Sequence, residues 1–294
     1  MKVITPIAIA ALSELVSTNV EDAGSVWAAG TAYALNAVVR LDPAANAFPQ
    51  NTRYYKCIQA PATGVSPLAA SGALYWADNG PTNQWAMFDS LTGTRTSRST
   101  GLTFGLKRLG CTALALMGVY GATLTLTLVD SLGAEAVFFT RPTASSGEDI
   151  IITDIPAEAG TAYFRVTITG SAAVATVLRG QLKDLGPVEY GATLSITDYS
   201  KKTTDAYGVT TFVKRAFSKR LSARALFNNA DLASVYRQLA LVRSTPCVWL
   251  AVDSALDAAG IYQVLNVFGY YQSFNIEVAY PTQSYCSLEI EGLA

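Results

Sequence analysis

Thr123-Leu124-Thr125-Leu126-Thr127-Leu128-Val129 alternates threonine and leucine residue by residue. Successive side chains of an extended chain point to opposite faces, so this stretch predicts a strand with one apolar and one polar face. Similar runs surround it at 150–153, 162–168 and 174–178, with turn signals at Asp130-Ser131-Leu132-Gly133 and Thr169-Gly170-Ser171. Short, uncharged strands with little helical periodicity predict a β-sandwich, galectin-like or jelly-roll-like, over residues 91–186. Gly101-Leu102-Thr103-Phe104-Gly105 reads as a turn, not as a phosphate-cradling loop.

Downstream, residues 187–294 open with strands at 192–196 and 208–213. One helix is expected at 229–243: Asn228 or Asn229 caps it, Leu232, Val235, Leu239 and Val242 give an apolar stripe, and Thr245-Pro246 stops it. Strands at 248–252, 274–278 and 284–293 complete an α+β unit. Upstream, residues 25–90 hold Trp27, Trp76 and Trp85, strands at 37–41 and 53–58, and a loop at 42–52. A module of this size has a small core, and aromatic rings are expected to fill it. Residues 1–24 form an arm. Its apolar run is broken by Pro6 and closed by Glu14, which fits an extended segment that pairs with a neighbour better than an export signal. No apolar run reaches the ~20 residues of a membrane-spanning helix. The expected fold class is mainly β, in three units after the arm.

Composition removes several function classes. The 294 residues are 50% hydrophobic and 15% charged, with a net charge of −1 and no histidine. Disorder is excluded, and nucleic-acid binding lacks the basic face that phosphates require. Without histidine there is no Ser-His-Asp triad, no Cys-His dyad and no His-ligated zinc. Glu148-Asp149, adjacent on a strand, point to opposite faces. Glu289 and Glu291 share a face but read as an edge rather than a glycosidase pair. Cys57, Cys111, Cys247 and Cys286 form no CxxC pair and read as buried free thiols. The expectation is no enzyme, no cofactor and no metal. The low charge instead suggests a subunit that buries surface against partners. The basic run Lys214-Arg215-Ala216-Phe217-Ser218-Lys219-Arg220, read as a strand, supplies Lys214, Arg215, Lys219 and Arg220 to an assembly interface, together with Glu289 and Glu291.

Two resemblances follow from motifs. Trp27-x5-Tyr33, Val38-Val39, Tyr55, Pro67 and Trp76 resemble the small chitin/cellulose-type carbohydrate-binding modules. Ala34-Leu35-Asn36 stand where that family has Gly-Asp. The resemblance implies a sugar-stacking set of Trp27, Tyr33, Tyr54, Tyr55 and Trp76, because the C–H faces of sugars pack on aromatic rings. Over nearly the full chain, the order of parts resembles a group of tailed-bacteriophage tail-tip proteins. The motifs are Met1-Lys2-Val3-Ile4-x-Pro6, Gly80-Pro81-Thr82-Asn83-Gln84-Trp85-Ala86-Met87-Phe88-Asp89, Asp198-Tyr199-Ser200-Lys201-Lys202-Thr203-Thr204-Asp205-x-Tyr207-Gly208 and Tyr285-Cys286-Ser287-Leu288-Glu289-Ile290-Glu291-Gly292-Leu293. That resemblance implies a split-barrel-like C-terminal domain and a structural place in the tail tip or baseplate of the virion. The protein would be made in the host cytoplasm and would join tail tube or hub to fibres. Its expected partners are other tail proteins, copies of itself in a symmetric assembly and host surface polysaccharide. The alternative is a receptor- or glycan-binding subunit.

Overall fold

The leucine face of residues 123–129 is turned inward in the computed structural model, which describes residues 1–42, 47–60, 62–89, 91–144, 147–156, 162–252 and 263–293. Leu124 and Leu126 are fully buried and the intervening threonines partly exposed. The chain is mainly β, as expected.

Two sheets enclose the central core. The first has five strands in the order β11 (Glu135–Pro142), β10 (Thr123–Val129), β13 (Tyr163–Ile168), β8 (Leu102–Lys107) and β2 (Leu15–Thr18). The second has nine: β12 (Glu148–Ile152), β9 (Ala113–Val119), β15 (Thr176–Asp184), β1 (Lys2–Pro6), β20 (Cys247–Leu250), β21 (Asn266–Glu277), β22 (Gln283–Gly292), β19 (Phe217–Asn228) and β16 (Thr193–Asp198). Leu124, Leu126, Phe164, Val166, Leu102 and Phe104 of the first sheet pack on Leu114, Leu116, Ile150 and Ile152 of the second. The sandwich read from the alternation is this pair of faces.

The arm strand β1 lies in the middle of the large sheet, antiparallel to β15 on one side and β20 on the other. Alternation splits its side chains. Val3 enters a core with Leu221, Trp249 and Leu288, while Ile4 enters a second cluster with Ala115, Val248 and Phe268. Gly180 makes this close pairing possible, because a Cβ there would overlap the Thr5 carbonyl.

The smaller pieces are a four-stranded module of β3 (Ser25–Val26), β4 (Val38–Arg40), β5 (Arg53–Cys57) and β6 (Trp76–Pro81), with the single-turn helix α1 (Gly72–Tyr75). There are also two ribbons: β7 (Thr96–Arg98) with β14 (Ala172–Val174), and β17 (Lys201–Thr204) with β18 (Thr210–Val213). The longer helix, α2 (Leu232–Leu241), lays Val235 and Leu239 on the large sheet, with Val242 following them into the same core.

Three local readings are corrected. The 101–105 stretch is a turn only at Gly101 (φ +89°); from Leu102 it is strand β8, flanked by β13 and β2, and Gly105 makes room for Ser17 and the Tyr163 ring. The run 174–178 is divided at Ala175 between β14 and β15. Asn229 does not cap the helix, which is preceded by a 3-10 turn. Its amide donates to the Tyr280 and Pro281 carbonyls instead and pins the loop before β22.

All four cysteines are buried free thiols. Burial pushes the Cys247 thiol up to about 12 and that of Cys286 to about 11, from an ordinary 9.0. A thiol reagent at pH 8 is therefore expected to label none of the four until the chain is unfolded. Above about pH 9 the unfolded chain releases thiol protons that the folded chain keeps, so stability falls as pH rises toward these values. Denaturation at pH 8 and pH 10.5 reads that loss, and Cys247→Ala should shrink it. An unchanged pH dependence in that variant would refute the assignment.

Candidate functional site

The five aromatic residues proposed to stack on sugar do not form a platform. Tyr33 is 8% exposed and Trp76 4%, and they meet edge to face with centroids 5.2 Å apart. The Tyr33 hydroxyl accepts the Ala28 N–H at 2.7 Å, and Trp76 Nε1 donates to the Val65 carbonyl at 2.8 Å. Tyr55 is buried and donates to the Gln50 carbonyl at 3.0 Å; burial and nearby Asp78 push its phenol up. With Val39, Leu41 and Cys57, these three rings are the core of the module. That corrects the assignment of Tyr33, Tyr55 and Trp76 as sugar contacts, since a ring with both faces packed offers none to a ligand. Trp27 packs partly on the same core. Tyr54 is half-buried and donates to the Ala23 carbonyl at 3.1 Å.

The 80–89 motif is a joint. Trp85 meets Phe48 at 5.6 Å and Phe88 at 5.7 Å, and Phe88 meets Phe104 of the sandwich at 5.9 Å. Met87 is fully buried in the sandwich core. The Asn83 amide exchanges two 3.0 Å hydrogen bonds with the Ser97 backbone. These residues fasten the module to the sandwich.

The charged set separates in the same way. Arg220 and Glu291 are register partners on β19 and β22 and form an ion pair at 3.5 Å. Glu291 also accepts from Tyr199 Oη at 3.1 Å, and Glu289 accepts from Ser222 Oγ at 2.7 Å. Antiparallel register thus sets Arg220 opposite Glu291 and Ser222 opposite Glu289, so these charges have partners within the chain, while Arg220 and Glu289 stay exposed. Glu148 binds Arg141, while Asp149 accepts the Gly118 N–H at 3.0 Å, so the two carboxylates do not converge. Strand β19 begins only at Phe217. Lys214 and Arg215 lie before it, exposed and without an ion pair among the described residues, and Lys219 is half-buried.

What the charge reading missed is the arm that ends at Lys214 and Arg215. The ribbon β17–β18 is closed at its base where the Tyr199 N–H donates to the Ala216 carbonyl, and at its tip by Asp205, which accepts the N–H groups of Tyr207 and Val209. Every residue of its two strands is exposed. Tyr207 is 92% exposed and Phe212 71%, with Val209 and Val213 beside them. Beyond β16, whose Ile196 is also exposed, the large sheet has no further strand among the described residues. Lysine at 201, 202 and 214 around a β-rich 210–213 was the available signal, since such a ribbon has no face polar enough for water and none dry enough for a core.

Among the described residues no group of three acidic or cysteine side chains gathers as a metal site, and no helix is long and apolar enough to cross a membrane. No protein-family model matches the chain, and no curated protein matches it.

Proposed function

We propose that this protein is a structural, non-catalytic subunit of a bacteriophage tail tip or baseplate. It joins tail tube or hub to peripheral fibres, and it sits beside copies of itself in the virion. The observation that carries the assembly reading is the arm of residues 199–216. A two-stranded ribbon is marginal in water, and one that displays Tyr207, Val209, Phe212 and Val213 is accounted for when a neighbouring subunit covers it. Lys201, Lys202, Lys214 and Arg215 rim those apolar residues, which selects a neighbour with acidic groups around an apolar patch. The identity of the particle rests on the sequence motifs, which fall in β1, the 80–89 fastening, the exposed arm and β22.

Replacing Tyr207 and Phe212 together by serine tests the assembly role. Neither side chain supports a core, so the folded chain should keep its stability within about 0.5 kcal/mol. Sedimentation velocity should show wild-type oligomers and a monomeric variant. A monomeric wild type, or an oligomer indifferent to the substitutions, would remove the arm from assembly.

A further inference from the structure

A polar cleft opens beside the Asn83–Ser97 fastening, where the aromatic module meets the sandwich. It has a volume of about 540 Å³ and lies along the β7–β14 ribbon. Arg95, Arg98, Ser97, Ser99, Ser171 and Tyr120 line it. No carboxylate lines it. Asp89, six residues before Arg95, is engaged by Thr94; Glu148, the register partner of Val119, pairs with Arg141, and Asp149 accepts the Gly118 N–H.

The two arginines are differently held. Arg98 is half-buried and gives Nη1 to the Thr100 and Gly101 carbonyls at 3.3 and 2.9 Å. That fixes the guanidinium plane, while Nε and Nη2 make no hydrogen bond with a described residue. Arg95 is exposed and makes no hydrogen bond or ion pair among the described residues; its guanidinium carbon lies 5.5 Å from the centre of the Tyr120 ring. The three serine hydroxyls are likewise uncommitted. Gly121, Ala172 and Ala173 complete the lining with groups too small to block it.

We infer that this cleft binds an acidic saccharide, with Arg95 and Arg98 holding a uronate carboxylate and the serine hydroxyls bonding to ring hydroxyls. A guanidinium fork matches a carboxylate in two parallel hydrogen bonds. A hydroxyl both donates and accepts, as a sugar hydroxyl requires. The cleft is open to solvent rather than enclosed, so a residue of a longer polymer can enter it. The inference is independent of the arm and stands if the arm has no role in assembly. It gives a many-copied particle a weak contact that multiplies through avidity.

Affinity electrophoresis of the full chain through gels containing polygalacturonate, with calorimetry on trigalacturonate, tests the inference. Expected are retardation by polygalacturonate and none by neutral dextran. Arg95→Ala, which removes an exposed side chain, should weaken binding about tenfold while leaving the melting temperature unchanged. Arg215→Ala, in the arm, should leave retardation as in the wild type. The inference is overturned by absent retardation or by equal retardation of Arg95→Ala. It is also overturned if polyglutamate or inorganic phosphate competes as well as trigalacturonate, because the site would then recognise charge alone.

Discussion

Arg179→Ala is expected to lower the unfolding free energy by about 3–5 kcal/mol, the cost of removing one partner of a buried ion pair. The Arg179 side chain is 1% exposed. It pairs with Glu14 and donates to the Ile7, Lys107 and Ala8 carbonyls at 3.2, 2.6 and 3.0 Å. The guanidinium therefore ties the segment after β1 and the 3-10 turn at 12–14 to the end of β8. Alanine leaves a buried carboxylate without its counter-charge and three carbonyls without donors. Urea denaturation should move the midpoint at an unchanged slope. The double variant Arg179→Met, Glu14→Leu should recover part of the loss, since it removes both charges together. A midpoint shift worth less than about 1 kcal/mol for Arg179→Ala would show that the clamp does not hold the arm.

Much of the strand pattern could be read before the structure because its cause is local. The Thr/Leu alternation at 123–129, the Leu232/Val235/Leu239/Val242 stripe and the 284–293 strand each follow from periodicity against one buried face. The failures have non-local causes. Two glycines around Leu-Thr-Phe look like a turn, yet Gly105 is small because Ser17 and Tyr163 lie against it. Aromatic spacing cannot separate a sugar platform from a core, since both use tyrosine and tryptophan. Only the 5.2 Å contact of Tyr33 with Trp76 decides between them. The Arg220–Glu291 pairing was not legible because register between residues 71 apart is invisible in the chain order. The cleft was out of reach for the same reason: β7 and β14 bring Ser97 and Arg98 beside Ala172 and Ala173.

Removing residues 1–6 is expected to turn one cooperative unfolding transition into two. In the large sheet β1 pairs over five residues with β15 and over three with β20. Among the described residues it is the strand that links the sandwich half of that sheet, β12-β9-β15, to the half formed by β20 through β16. Val3 and Ile4 are 1% and 0% exposed, and burying such side chains contributes about 1.5–3 kcal/mol each. They enter different cores, so β1 couples the stability of one half to the other. Without it β15 and β20 become unpaired edges, and the truncated chain should also associate through them. Gly180→Val should act in the same direction with the strand still present, because the added side chain collides with the Thr5 carbonyl and Ile4. Scanning calorimetry distinguishes the cases. A synthetic peptide of residues 1–14, which carries both β1 and Glu14, should restore a single transition to the truncated protein by adding a strand in trans. If the truncated chain unfolds in one transition at the wild-type temperature, the two halves are joined by contacts other than β1.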